Sequence, residues 1–202
     1  MDRPELWGIC GGSGSGKTTL AIALLERLSN RAALLSLDSY YRDLSHLSFD
    51  ERCRVNFDHP DAVDFDLFID HLDALHLGRA VPVPRYDFNS HCRNAGTDWL
   101  DPGEVVIVEG ILLMARDDVR ERLDLAVYLD VPAAIRLDRR VHRDVTERGR
   151  DAAEVRAVFE TVVRPMEELF VEPAIDLATI RIEHPFEAEH SANRLHERLV
   201  SN

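Results

Sequence analysis

Residues Gly11-Gly12-Ser13-Gly14-Ser15-Gly16-Lys17-Thr18 fit the pattern GxxxxGK[ST], and few eight-residue segments restrict a fold so tightly. The segment works only as a turn from a buried strand into a helix, its N–H groups wrapped around a phosphate chain. Both flanks comply. Leu6-Trp7-Gly8-Ile9-Cys10 reads as a short buried strand, and Thr18 to Ser29 as a helix with apolar Leu20, Ala21, Leu24, Leu25 and Leu28. Lys17 is the one lysine in a chain with 23 arginines. A compact ammonium on a thin stem reaches between phosphates where a planar guanidinium serves badly. The expectation is nucleoside triphosphate binding by Gly11 through Gly16, Lys17, Thr18 and Thr19. Lys17 would sit at the β/γ oxygens and the Thr18 hydroxyl on Mg²⁺.

The 202 residues suit one domain with a proper core, 45% of them being hydrophobic. A net charge of −13 argues against nucleic acid or an anionic membrane surface as a partner. No apolar run approaches the ~20 residues of a membrane span, and no signal-peptide core is visible. Cys10, Cys53 and Cys92 are odd in number and show no CxxC spacing, so reduced thiols in a cytoplasmic protein are expected. Cys10 reads as a strand residue and Cys92 as a loop residue.

Strands and helices alternate along the chain. Arg31 to Leu37 reads as a strand ending at Asp38, followed by an irregular polar stretch from Tyr40 to Pro60. A helix is expected from about Asp64 to Leu77, with Phe65, Phe68, Ile69, Leu72 and Leu75 inward and His71 and His76 solvated. Residues 80–100, with Pro82 and Pro84, read as an extended or hairpin insertion. Val105-Val106-Ile107-Val108 and Leu125 to Leu129 read as strands buried on both faces. A helix from about Ala133 to Thr146 breaks near Gly149 and resumes from Asp151 towards Val171. A strand at 179–182 and a helix at 187–200 close the chain. The pattern predicts α/β class: a doubly wound parallel sheet of P-loop NTPase type spanning 1–202 as one domain.

Ligands of such sheets gather at the carboxyl ends of the strands. Asp38, Glu109 and Asp130 stand there. Glu109 is expected to hold the metal with Thr18, and Asp38 to accept a proton from an attacking hydroxyl or share the metal. Asp130 reads as a helix cap ahead of Pro132. Arg136, Arg139, Arg140, Arg143, Arg148 and Arg150 crowd fifteen residues. Some should pair with Asp138, Asp144 and Glu147. The Glu147-Arg148-Gly149-Arg150 break suits an arginine-rich lid over about 143–153 that brings cations onto the transferring phosphoryl group.

The P-loop, Asp38-Ser39-Tyr40-Tyr41, Asn56-Phe57-Asp58-His59-Pro60-Asp61-Ala62, Tyr86-Asp87-Phe88 with His91 and Arg93, Glu109-Gly110-Ile111-Leu112, and Arg139-Arg140 through Glu147-Arg148-Gly149-Arg150 together resemble the uridine/cytidine kinases. The blocks keep that family's order over roughly residues 5 to 173. The resemblance implies phosphoryl transfer from ATP or GTP, with Mg²⁺, to a pyrimidine ribonucleoside, and a tendency towards homo-oligomers. It implies Asp38 as base, Thr18 and Glu109 in the metal shell, and Asp58 and Arg140 on the ribose hydroxyls. Tyr86, His91 and Arg150 would hydrogen-bond the pyrimidine, with Arg93 beside them. Phe57, Phe88 and Ile111 would wall it, and Arg143 and Arg148 would reach the phosphates with Lys17. Three stretches depart from the family pattern: Val158 stands where the family has glutamine, Asn94-Ala95-Gly96 replaces a more charged run, and Arg181 to Pro185 lacks its Pro-Arg-Gly segment. Val158 predicts altered acceptor choice. The alternatives are a P-loop kinase for another hydroxyl acceptor, of phosphoribulokinase or pantothenate kinase type, or a non-catalytic nucleotide-binding module.

Overall fold

The computed structural model describes residues 3–200, with the side chains of Arg148, Leu199 and Val200 outside the description. In chain order the strands are β1 (Glu5–Cys10), β2 (Ala32–Ser36), β3 (Val81–Asp87), β4 (Cys92–Leu100), β5 (Val105–Glu109), β6 (Leu125–Asp130) and β7 (Ile180–Glu183). The helices are α1 (Lys17–Leu28), α2 (Phe49–Arg52), α3 (Phe65–His76), α4 (Asp117–Arg120), α5 (Ala133–Arg148), α6 (Ala152–Val158), α7 (Arg164–Phe170) and α8 (Ala188–Val200). Five strands form one parallel sheet in the order β2-β5-β1-β6-β7, while β3 and β4 make a separate antiparallel hairpin. This is the doubly wound α/β architecture expected. Among the described residues no helix is long and apolar enough to cross a membrane.

Strand geometry sends successive side chains to opposite faces, and both faces are covered here. Leu6, Leu35, Val106 and Val108 pack towards α3, against fully buried Phe68 and Leu72. Trp7, Ile9, Val105 and Ile107 pack towards α1 and α8, against Leu20, Leu24 and Leu195. Each such large apolar side chain contributes roughly 1.5–3 kcal/mol on burial. Register then aligns the functional ends: Ser36 of β2 and Ile9 of β1 both stand level with Glu109 of β5.

Several expectations need correction. His71 is buried, and its Nδ1 shares a hydrogen bond with the Tyr40 hydroxyl at 2.7 Å. His76 is also engaged, its Nε2 lying 3.0 Å from Asp124 Oδ2. Asp130 caps nothing: Pro132 is the N-cap residue of α5, and the Asp130 carboxylate accepts from Arg181 Nε at 3.1 Å. Cys92 is the buried first residue of β4 rather than a loop residue. The irregular stretch contains α2, started by a reciprocal Ser48–Glu51 capping box. The helical run after Asp151 is interrupted by a wide π turn at Phe159–Val163, just ahead of Pro165, which has no N–H to give the helix.

Candidate active site

The P-loop leaves β1 and enters α1 through Gly16, which takes the left-handed conformation (φ 98°) as the N-cap residue. Gly14 is also left-handed, and a Cβ there would lie 2.4 Å from the Arg136 carbonyl oxygen. At Gly14 both space and conformation exclude a side chain, and at Gly16 the left-handed conformation alone disfavours one. Lys17 is buried and donates from Nζ to the Gly12 carbonyl at 3.0 Å. Burial pushes its pKa down, opposed by the nearby Glu109, Cys10 and Asp38. The Glu109 carboxylate accepts from Thr18 Oγ1 at 3.3 Å on one oxygen and from Ser36 Oγ at 2.7 Å on the other. Thr18 and Glu109 thus present two neighbouring oxygen donors of the type a hard divalent cation takes. Among the described residues no cluster of three or more His, Cys, Asp or Glu could hold a metal on its own.

Asp38 follows β2 on the short 3₁₀ turn Leu37–Tyr40. Burial, then repulsion from Glu109, raises its pKa to about 6, against the pull of Lys17 and Arg143. A carboxylate at that value accepts a proton readily near neutral pH. Its turn is held from behind. Arg93 donates to the Tyr41 carbonyl at 2.9 Å and the Tyr40 carbonyl at 3.2 Å, and it pairs with Asp64 at 3.1 Å. Arg93 does not line the cleft, so the expected substrate contact is corrected to an anchor for the turn carrying Asp38.

One cleft of about 1370 Å³ runs from Ser13 and Lys17 past Asp38 to Tyr86, Phe88 and His91. At the far end Phe57 and His91 stack at 4.8 Å, and Tyr41 meets Phe57 edge-on at 5.4 Å. The Tyr86 hydroxyl is buried and has no hydrogen-bond partner among the described residues. Burial, then Arg150, lowers the His91 pKa and favours neutral imidazole. Ile111, Asp58, Val155, Val158 and Val162 also line the cleft. Burial raises the Asp58 pKa, with Arg140 opposing.

Helix α5 lies across the mouth of the P-loop. Arg140 donates to Ser13 Oγ at 2.9 Å, and Arg139 reaches the Ser15 carbonyl at 3.3 Å. Asp144, fully buried, gathers Arg143 at 2.8 Å, Arg150 at 3.5 Å and Arg140 at 3.8 Å. The expected pairing of cluster arginines with Asp144 is thus present but buried, whereas Asp138 pairs at the surface with Arg156, outside the cluster. Gly149, left-handed at φ 63°, ends α5 at the break read from the sequence. The Arg148 side chain lies outside the described residues.

Sequence reasoning missed Ser36, Asp144 as an organising acid, and Glu167, whose carboxylate accepts from the Ser13 N–H at 2.6 Å. Ser36 could have been found from its place at a strand's carboxyl end. Glu167 carries no local signal, because its partner lies 154 positions away. Arg136, grouped with the lid cations, is buried and paired to Glu167 instead.

Relatives are consistent with this geometry. The family described as Phosphoribulokinase / Uridine kinase matches residues 6–188. A uridine kinase of Staphylococcus epidermidis is 45% identical over 183 residues, 90% of this chain and 88% of the relative. One from Chloroflexus aurantiacus is 41% identical, covering 92% of this chain and 97% of the relative. Phosphoribulokinase from Rhodobacter spheroides, 14% identical, shares the fold with a TM-score of 0.64 over 90% of this chain and 70% of its own. With the match running from β1 into α8 through every element that lines the cleft, the chain belongs to the phosphoribulokinase/uridine kinase family.

Proposed function

We propose that this chain is a uridine kinase, transferring the γ-phosphoryl group of Mg·ATP to the 5′-hydroxyl of uridine or cytidine. One observation carries the reading: a single cleft joins the P-loop to an aromatic chamber, with Asp38 between them. The curated relatives named uridine kinase support it. The chamber suits a flat, neutral ring with a few polar pins. Phe57, Phe88 and Ile111 wall it, and Tyr86, His91 and Arg150 offer hydrogen bonds. Asp58 and Arg140 suit a ribose diol, carboxylate and guanidinium to two hydroxyls. Asp38 takes the proton from the attacking 5′-oxygen. Lys17, the P-loop amides and Arg143, with Arg148 from the lid, neutralise charge on the phosphate oxygens. Magnesium held by Thr18 and Glu109 would offset further charge there. The reading takes the chain as one catalytic domain acting on small molecules in the cytoplasm.

The test is product formation with Mg·ATP and uridine, cytidine, adenosine, ribulose 5-phosphate, pantothenate or no acceptor, with Asp38→Asn in parallel. UMP or CMP that disappears in Asp38→Asn is the expected result. ATP binding with no nucleoside phosphorylated would remove the chamber assignments and leave a kinase for another acceptor.

A further inference from the structure

A buried ion pair fastens the P-loop from behind, and none of the roles above uses it. Arg136, on the first turn of α5, is 5% exposed, and Glu167 of α7 is 1% exposed. Arg136 Nη1 meets Glu167 Oε2 at 2.5 Å, while Arg136 Nε donates to the Val131 carbonyl at 2.9 Å. The second carboxylate oxygen, Oε1, accepts from the Ser13 N–H at 2.6 Å. The loop is closely fitted to the pair: a Cβ on Gly12 would lie 2.1 Å from Arg136 Nη1 and 2.7 Å from Glu167 Oε1.

Stability is a poor reason to bury such a pair. Two desolvated charges often contribute no more than apolar residues of the same volume. What an apolar pair cannot do is accept a backbone N–H and fix its direction. Ser13 is held on both sides, its N–H by Glu167 and its hydroxyl by Arg140. Arg136 and Arg140 stand one turn apart on α5, so the same device ties the loop to the helix that carries the phosphate-facing arginines.

We propose that Glu167 is a positioning residue for donor binding: braced by Arg136, it accepts the Ser13 N–H and sets the P-loop so that its remaining amides face the donor phosphates. The inference takes the loop's phosphate-binding role from the reading above. It does not depend on which acceptor the enzyme uses.

Two doubly substituted proteins separate positioning from packing. Arg136→Met/Glu167→Gln removes both charges and keeps an acceptor for the Ser13 N–H. Arg136→Met/Glu167→Leu removes the charges and the acceptor together. The measurement is the Kd for Mg·ATP by calorimetry without acceptor, followed by separate KM values for ATP and uridine. The Gln pair is expected to stay within about twofold of the unaltered protein in Kd. The Leu pair should weaken it roughly tenfold, the scale of one lost hydrogen bond, with KM for uridine unchanged. Equal ATP affinity in the two pairs would overturn the proposal, as would a parallel rise in both KM values. If the Leu pair does not fold while the Gln pair does, Ser13→Pro, which deletes the N–H itself, is the second reading. Its reference is Ser13→Ala, which loses only the hydroxyl held by Arg140. Ser13→Pro with ATP affinity no weaker than that of Ser13→Ala would overturn the proposal, and weaker affinity than Ser13→Ala would support it. Failure of the unaltered chain to bind Mg·ATP would overturn both this inference and the phosphate role beneath it. Failure to phosphorylate uridine would touch only the acceptor assignment.

Discussion

The two ends of the cleft are built on different principles. At the phosphate end, most of the polar groups are already partnered within the fold, the buried Ser15 hydroxyl being an exception among the described residues. Lys17 is bonded to Gly12, Glu109 to Thr18 and Ser36, and Ser13 to Glu167 and Arg140. The base end is aromatic and looser. Phe88 is 44% exposed and Val158 39% exposed, and the Tyr86 hydroxyl has no partner among the described residues. Phosphate is common to every donor and can be met by a fixed scaffold of strand ends and amides. A base must be told from other bases by a few side chains on loops, where sequence can vary without endangering the sheet. Substitutions at the first end should therefore remove turnover, and those at the second should redirect it.

The largest effects follow at Asp38 and Lys17. Asp38→Asn should lower kcat by roughly 10²–10⁴ with little change in KM for uridine, the range for a lost general base. Lys17→Ala should lower kcat/KM for ATP by roughly 10³. The same Asp38→Asn protein has a second, opposite consequence. Asp38 is held at about 6, above its ordinary value, because burial and Glu109 disfavour the carboxylate. The folded state therefore binds this proton more tightly than the unfolded chain, and the group's contribution becomes less favourable as pH rises towards about 6. Removing the charge should raise Tm by a few degrees at about pH 8 and by almost nothing near pH 4. A Tm gain that is independent of pH would show that Asp38 is not the group responsible.

The pH profile probes the same residue from its neighbour. In the unaltered protein kcat/KM should fall on the acid side with an apparent pKa of about 6, as Asp38 becomes protonated. Glu109→Gln should lower kcat/KM by roughly 10² and also move that limb to lower pH, since Glu109 is the main charge raising Asp38. An acid limb that stays in place would assign the titration to another group.

What was legible beforehand follows the same division. The P-loop, the strand ends and the hairpin with Pro82 and Pro84 could be read because their signals are local: a fixed motif, unbroken apolar runs, proline on an edge. Groups whose meaning depends on a distant partner could not. His71 looked like a polar-face histidine until Tyr40 came to it across 31 positions, and Arg93 looked like a ligand until the Tyr40 and Tyr41 carbonyls claimed it. Asp130, placed as a cap by the proline after it, belongs instead to Arg181, 51 positions on. Family resemblance brought Tyr86, His91 and Phe57 together before the structure did. On periodicity alone they were three unrelated loop and strand residues, because a pocket assembled from several segments leaves no spacing to find.

At the base end, Tyr86→Phe removes the unpartnered hydroxyl. It should raise KM for uridine about fivefold while leaving KM for ATP unchanged. Val158 gives the smallest and most selective effect. It lines the cleft, as do Val155 and Val162 of the same helical run and the polar Tyr86 and His91. An apolar side chain can pack against any flat ring, but it neither donates to nor accepts from a pyrimidine edge. Val158→Gln supplies both functions at a site still 39% exposed, where water competes and the gain should stay below that of a buried bond. The preference for uridine over adenosine, measured as a ratio of kcat/KM, should therefore rise only about threefold to tenfold, with donor binding unaffected. An unchanged ratio would mean that Val158 does not set acceptor choice. Discrimination would then rest with Tyr86, His91 and Arg150, and the looseness of this end would be a matter of exposure rather than of selectivity.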